Sequence, residues 1–183
     1  SALPLPLYRP VASAGARGLL RVALGMTAEH ADFPKHRDSF LAHYQRHIAR
    51  ASNLFEGMDA ALKQLEARAI RWGVVTNKPA YLTQLLMEAL QLNARSACCF
   101  SPGEPLRAKP APDMLHAACK QLGLQTTDCL YVGDDKRDID AGRAAGMRTV
   151  AVRWGYYGEG GPIESWQADV IASHPEELLA LVA

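Results

Sequence analysis

The spacing of hydrophobic residues changes near residue 55. Upstream of it, apolar side chains recur every three or four positions in two stretches, 16–24 and 40–48. This spacing gives a helix one apolar face. We therefore predict two antiparallel helices, joined by a polar connection over 25–34.

Downstream of residue 55, short apolar runs alternate with helical periods. Five runs of strand length predict strands over 72–76, 97–100, 129–132, 149–152 and 170–172. Helical periods predict helices over 58–68, 80–90 and 112–122, before Gly146, and from Pro175 onward. Strands that alternate with helices are typical of a parallel sheet with crossover helices. The predicted fold class is α/β, a doubly wound parallel sheet with a small helical part.

Composition and charge exclude several classes of protein. Of 183 residues, 49% are hydrophobic and 21% are charged, as in ordinary globular proteins. The 20 Lys and Arg against 19 Asp and Glu provide no basic surface for nucleic acid or an anionic membrane. No apolar run approaches the roughly 20 residues of a membrane span. We expect a cytoplasmic protein without nucleic-acid or membrane partners, and no pattern predicts its oligomeric state.

The four cysteines suggest neither a disulfide framework nor a zinc site. They form no CxxC pair, and two of them are adjacent in the chain: Cys98, Cys99, Cys119 and Cys129. We expect reduced thiols.

The first candidate site follows the predicted strand 72–76. There, Thr76 and Asn77 precede a helix, and ligands of parallel sheets bind at the carboxyl ends of strands. A hydroxyl and free amides could hold phosphate. One of the two side chains could instead cap the helix, and the local pattern alone favours the cap. Lys109, just before Pro110, could supply a positive charge to phosphate or be a solvated loop lysine.

Three acids follow the predicted strand 129–132. Asp134, Asp135 and Asp138 concentrate oxygen ligands of the kind that Mg²⁺ prefers. They could instead be acids placed favourably at a helix N-terminus. Because a cap needs one acid and this loop has three in five positions, we favour the metal.

Three segments together resemble the haloacid dehalogenase superfamily of phosphatases. VVTNKP is similar to its second motif, AKPAPD to the third and VGDDKRDIDAGRAAGM to the fourth. The resemblance covers residues 54–183. Within the superfamily it extends to bacterial phosphoglycolate phosphatases and to phosphatases of N-acetylmuramic acid 6-phosphate, through 54–58, VGDDKRDI and 152–156.

The resemblance implies roles for individual residues. Thr76 and Lys109 would be catalytic, and the phosphate would be bound by Thr76, the backbone of Asn77, and Lys109. Asp134 would bind Mg²⁺ directly, with Asp135 and Asp138 completing or orienting its surroundings. Residues 1–54 would be a partial helical cap and 55–183 the α/β core, with a hinge at 54–57.

The implied activity is Mg²⁺-dependent hydrolysis of a phosphomonoester. The substrate would be a small phosphorylated metabolite, either phosphoglycolate or N-acetylmuramic acid 6-phosphate, and an aspartyl-phosphate would form on the way. The family's first motif, a strand ending in Asp-x-Asp, has no counterpart, since the only Asp-x-Asp is Asp138–Asp140 in a helical pattern. We therefore expect this chain to be truncated and inactive alone, without the first strand and nucleophile. The alternative is a non-catalytic phosphate- or metal-binding α/β module.

The helical part contains a further pair of candidate residues. His43 and His47 lie four positions apart and so share a helix face. They could bind a metal or an anionic substrate, but no acid or cysteine stands near them at ligand spacing. We favour a solvated helix face.

Overall fold

A computed structural model describes residues 3–158 and 160–182. Its helices are α1 Gly15–Leu24, α2 Phe33–Arg46, α3 Met58–Ala67, α4 Ala80–Ala89, α5 Asp113–Leu122 and α6 Lys136–Ala144. Its strands are β1 Val74–Val75, β2 Cys99–Phe100, β3 Leu130–Gly133, β4 Arg148–Val152 and β5 Val170–Ala172. Short 3₁₀ helices lie at Leu5–Leu7, Arg9–Ala14, Thr126–Asp128, Ile163–Trp166 and Pro175–Ala180.

All of the strand pairs are parallel, as the alternation of strands and helices predicts. In the described residues β1 pairs with β2, and β4 lies between β3 and β5 in a second sheet. Opposite faces of the second sheet are covered by different elements. On β4, Ala151 packs with Ile139 of α6, whereas Val150 and Val152 pack with Leu178. The sheet is thus covered on both sides, which explains its nearly continuous apolar strands.

Side chains, not strand pairing, connect the two sheets. The Tyr131 hydroxyl on β3 donates to the carbonyl of Val75 on β1 at 3.3 Å, and Lys109 Nζ donates to the same carbonyl at 2.8 Å. Both sheets also contribute to one apolar cluster around Leu115 and Ala141. The carboxyl ends of β1 and β3 are therefore close together, and the candidate loops follow them.

The helical part has its own small core. Leu20 of α1, Met26 after it and Phe33 of α2 are buried against one another. The predicted connection over 25–34 was wrong at its end, because α2 begins at Phe33 and the buried Met26 and Phe33 supply two of these three core residues. The apolar stripe was wrong at Leu24, which is 53% exposed, because this last residue of α1 lies beyond the contact. No helix in the described ranges has the length and apolar character needed to cross a membrane.

Candidate active site

The loop after β1 contains Thr76 and Asn77, and neither caps a helix. The Thr76 N–H continues the pairing with β2 by donating to the Phe100 carbonyl at 3.0 Å, and its Oγ1 accepts from the Lys78 N–H at 3.1 Å. Helix α4 begins after Pro79, which occupies the cap position without a side-chain hydrogen bond. The capping interpretation is wrong, because both residues lie too far upstream to reach the free N–H groups of α4.

Asn77 connects this loop to the loop of Lys109. Its Nδ2 donates to the Lys109 carbonyl at 3.0 Å, and its Oδ1 accepts from the Lys109 N–H at 2.8 Å. An amide side chain can pair in this way with a backbone peptide because it carries both a donor and an acceptor. The resemblance assigns Asn77 only a backbone role, so this positioning role of the side chain was missed.

Lys109 lies in a buried ion pair. Its Nζ is 2.7 Å from Asp138 Oδ1, and the two side chains are only 10% and 9% exposed. The same ammonium donates to the Val75 carbonyl at 2.8 Å and to the Tyr131 hydroxyl at 3.0 Å. An ammonium has three donors, and all three have partners. The interpretation of Lys109 as a solvated loop lysine is wrong.

Two of the three predicted metal-site acids cap helix α6. Asp135 is its N-cap and accepts from the Arg137 N–H at 2.9 Å, while Asp138 Oδ2 accepts from the Asp135 N–H at 3.1 Å. The Arg137 guanidinium also contacts both carboxylate oxygens of Asp135, at 2.8 and 2.7 Å. Burial would raise the pKa of Asp135, but these contacts with Arg137 lower it below its ordinary value. The helix-terminus interpretation therefore describes the contacts of Asp135 and Asp138.

Asp134 has different surroundings. It is half-buried, and its Oδ2 accepts from the Tyr156 N–H at 2.7 Å. Burial raises the pKa of Asp134, and the neighbouring Asp138 carboxylate adds to the effect. No ion pair joins Asp134 to a cationic side chain in residues 3–158 or 160–182. A carboxylate shielded from water without a cationic partner is the environment that a bound cation would stabilise.

A Mg²⁺ ion at this site would have few protein ligands among the described residues. Within the described chain, no three His, Cys, Asp or Glu side chains come together to hold a metal. Mg²⁺ commonly takes one or two carboxylates and completes its shell with waters and substrate phosphate. Asp134 fits this pattern as a ligand, whereas Asp135 and Asp138 are held by Arg137 and Lys109. The metal role of all three stays a prediction.

Gly155 leaves space for the Asp134 carboxylate, and an alanine there would remove it. A Cβ at Gly155 would overlap both the Cβ and the Oδ2 of Asp134, so the whole Asp134 side chain would have to move. We expect Gly155→Ala to weaken Mg²⁺ binding by about tenfold or more, measured by calorimetric titration. Gly103→Ala is the matched control, since nothing lies within 4 Å of its Cβ position. Equal Mg²⁺ affinity in both variants would contradict this role of Gly155.

The sequence also matches a described family over most of the chain. The family model for haloacid dehalogenase-like hydrolases matches residues 19–152. The chain belongs to this family. The matched range of the haloacid dehalogenase-like hydrolase includes all six candidate residues, and its α/β architecture agrees with the predicted fold class.

Named relatives are similar to this haloacid dehalogenase-like hydrolase along nearly its whole length. It is 44% identical over 176 residues to an N-acetylmuramic acid 6-phosphate phosphatase of Pseudomonas putida, covering 96% of this chain and 79% of the relative. It is 41% identical over 180 residues to a phosphoglycolate phosphatase of Xanthomonas campestris pv. campestris, with the same coverage of 96% and 79%.

A solved structure shares the fold. A haloacid dehalogenase-like hydrolase of Streptococcus pneumoniae superimposes with a TM-score of 0.83 and 18% sequence identity, covering 100% of this chain and 83% of that one. At this identity the likeness shows the fold alone.

Proposed function

We propose that this hydrolase removes phosphate from a small phosphorylated metabolite in a Mg²⁺-dependent reaction. The observation that carries the proposal is the buried Lys109, whose ammonium and backbone contact the residues on either side of Thr76. Lys109 Nζ contacts the Val75 carbonyl and the Lys109 backbone pairs with Asn77. A hydroxyl and a fixed positive charge at the end of a parallel strand support phosphate binding.

Each candidate residue except Asp135 has a distinct task in this reaction. The Thr76 hydroxyl donates to a phosphate oxygen, and N–H groups near Asn77 supply further donors. The Lys109 ammonium offsets the negative charge of the phosphoryl group, and its contact with Asp138 fixes its position. Asp134 would hold Mg²⁺, which when bound stabilises negative charge on phosphate oxygens. None of the described residues is assigned the attack on phosphorus.

Two further parts of the proposal concern substrate and organisation. The names of the relatives support phosphoglycolate and N-acetylmuramic acid 6-phosphate as the candidate substrates.

Residues 1–54 act as a partial helical cap over the core of 55–183, and α2 contacts the loop after β1. Closure of such a cap would exclude water from the site.

A substrate panel tests the proposal. Phosphate release is measured for the protein expressed from its own gene, with Mg²⁺ and then with EDTA, on both candidate substrates and on glucose 6-phosphate. We expect release from at least one candidate, at least about tenfold faster than from glucose 6-phosphate and abolished by EDTA. Release that is equal on all three, or unaffected by EDTA, would contradict the proposal.

A non-catalytic phosphate-binding module is a second candidate. It is favoured by the ion pairs of Asp135 with Arg137 and of Asp138 with Lys109. Of the three predicted metal ligands, these pairs leave Asp134 alone without a cationic side-chain partner in the described residues. Phosphate binding that is measurable by calorimetry, combined with no phosphate release from any panel compound, would support this candidate and exclude the hydrolase.

A further inference from the structure

Two thiols meet in the core between α5 and β3. Cys119 lies in the last turn of α5 and Cys129 directly precedes β3, and their Sγ atoms are 3.7 Å apart. Both side chains pack in the apolar cluster around Leu115 and Ala141. A disulfide bond joins sulfur atoms about 2.0 Å apart, so a small movement of the two side chains would bring them to bonding distance.

The backbone between the two cysteines holds them in this position. The chain leaves α5 through Gly123, whose φ of +66° is in the left-handed region, and the Leu124 N–H donates to the Cys119 carbonyl at 3.0 Å. A short 3₁₀ helix follows, and the Cys129 N–H donates to the Thr126 carbonyl at 3.1 Å. Because the backbone of each cysteine is hydrogen-bonded to the connecting turn, the two thiols face each other as a result of the path of the chain.

The two thiols differ in their access to solvent. Cys119 is 6% exposed, whereas Cys129 is half-buried. A small reagent therefore reaches Cys129 first. Cys119 reacts with a group only after that group is bound to Cys129.

The surroundings of Cys129 favour the protonated thiol. Burial, together with the sulfur contact to Cys119, raises the pKa of Cys129 to about 11. Its Sγ also donates to the Gln125 carbonyl at 3.4 Å. Since the thiolate is the reacting form, we expect slow reaction at neutral pH. A pair without a stabilised thiolate also gains little from staying reduced, so a disulfide formed here should persist until a reducing thiol is added.

The other two cysteines provide an internal comparison. All four cysteines are free thiols, with Cys99 exposed and Cys98 buried. Neither Cys98 nor Cys99 has a sulfur–sulfur contact in the part of the chain that the structure describes. Residues adjacent in the chain have Cα atoms about 3.8 Å apart, closer than a disulfide usually requires. We therefore expect Cys99 to take up a small disulfide reagent and to keep it.

We propose that Cys119 and Cys129 form a redox-active pair, a modification site that reacts with low-molecular-weight disulfides and closes to an intramolecular disulfide. In the first step Cys129 loses its proton to solvent, and its sulfur attacks one sulfur of the reagent, which forms a mixed disulfide and releases one thiol. In the second step Cys119 loses its proton, and its sulfur attacks Cys129 Sγ, which releases the second thiol. Two protein thiols are thus oxidised, and one reagent disulfide is reduced to two thiols. The bond would join α5 to the strand that leads to Asp134.

Peptide mapping after oxidation tests the pair and needs no phosphatase activity. The folded protein is incubated with oxidised glutathione, free thiols are alkylated, and tryptic peptides are identified by mass spectrometry. Trypsin cleaves after Lys120, which lies between the two cysteines, so their disulfide appears as two linked peptides. In the wild type we expect this linked pair, glutathione on Cys99, and reversal of both by a thiol reductant.

Cys119→Ser and Cys129→Ser separate the two steps. Without the second thiol, Cys119→Ser should keep glutathione on Cys129 at a level at least about tenfold above the wild type. In Cys129→Ser the buried Cys119 should stay free. Circular dichroism checks the fold of each variant, and the wild-type result decides the proposal if a variant does not fold.

Three results would overturn the proposal. The first is wild-type protein that keeps glutathione on Cys129 without a bond to Cys119. The second is wild-type protein modified only at Cys99. The third is a bond between Cys119 and Cys129 that forms only in urea, because it would then belong to the unfolded chain.

Discussion

Lys109→Met is expected to lower the free energy of unfolding by about 3–5 kcal/mol. The substitution leaves the Asp138 carboxylate buried without its partner, and it removes the donors that Lys109 supplies to Val75 and Tyr131. A buried charge without compensation is strongly destabilising. In a chain of 183 residues the melting temperature should fall by about 10 °C. Urea unfolding followed by circular dichroism provides the measurement.

Lys136→Met is the matched control for Lys109→Met. Lys136 also pairs with an aspartate, at 2.7 Å from Asp140, but these two side chains are 43% and 36% exposed. An exposed pair of this kind contributes about 0–1 kcal/mol. If both variants unfold within about 1 kcal/mol of each other, the Lys109–Asp138 pair does not have the buried role described.

Asp134→Asn is expected to remove the effect of Mg²⁺ while making the metal-free protein more stable at neutral pH. Burial raises the pKa of Asp134 in the folded protein above its unfolded value. The wild type therefore loses stability as the pH rises through the folded pKa and the carboxylate ionises. Asparagine has no such ionisation, so its advantage should vanish below the unfolded pKa of about 4. Loss of a metal ligand should also lower the rate of phosphate release by about three orders of magnitude.

Melting curves between pH 3 and neutral, with and without Mg²⁺, measure the effects on stability. At about a hundred times its dissociation constant, Mg²⁺ should stabilise the wild type by about 2.7 kcal/mol and leave Asp134→Asn unchanged. Asp140→Asn removes a carboxylate that pairs with Lys136, and it should respond to Mg²⁺ like the wild type. An equal Mg²⁺ response in Asp134→Asn would rule out Asp134 as the ligand.

The predictions agree with the structure for some helices and some strands. Strands β3, β4 and β5 match their predicted bounds to within one residue, whereas α2 begins at Phe33 instead of near residue 40 and the segment from Pro175 is a 3₁₀ helix. Predicted bounds for α3, α4 and α5 agree with the structure to within one residue, because periodic apolar faces and local breakers define them. Strand β1 was predicted over 72–76 and is only Val74–Val75. Its length depends on pairing with a strand about 25 residues away, which no local pattern specifies.

The same distinction applies to the site. The pattern selected Thr76 and Asp134 as candidates because each follows a predicted strand, and Lys109 because it stands before Pro110 at the entry to a helix. It did not predict the hydrogen bond of the Asn77 side chain to the Lys109 backbone, or that of the Lys109 ammonium to the Tyr131 hydroxyl. Asn77 and Tyr131 lie 32 and 22 positions from Lys109 in the sequence. The capping of α6 by Asp135 and Asp138 was visible, since an acid three positions after an N-cap acid is typical of a capping box. The metal prediction rests instead on the number of acids, since three exceed what a cap requires.

The most direct test of the central claim locates the anion itself. Crystals of the protein grown with Mg²⁺ and soaked in tungstate, a phosphate mimic, would reveal the anion by its anomalous scattering. We predict tungstate within hydrogen-bond distance of Thr76 Oγ1, beside the Lys109 ammonium and attracted by its charge, with the metal on Asp134. Tungstate bound away from Thr76 and Lys109, with no metal density at Asp134, would contradict the account.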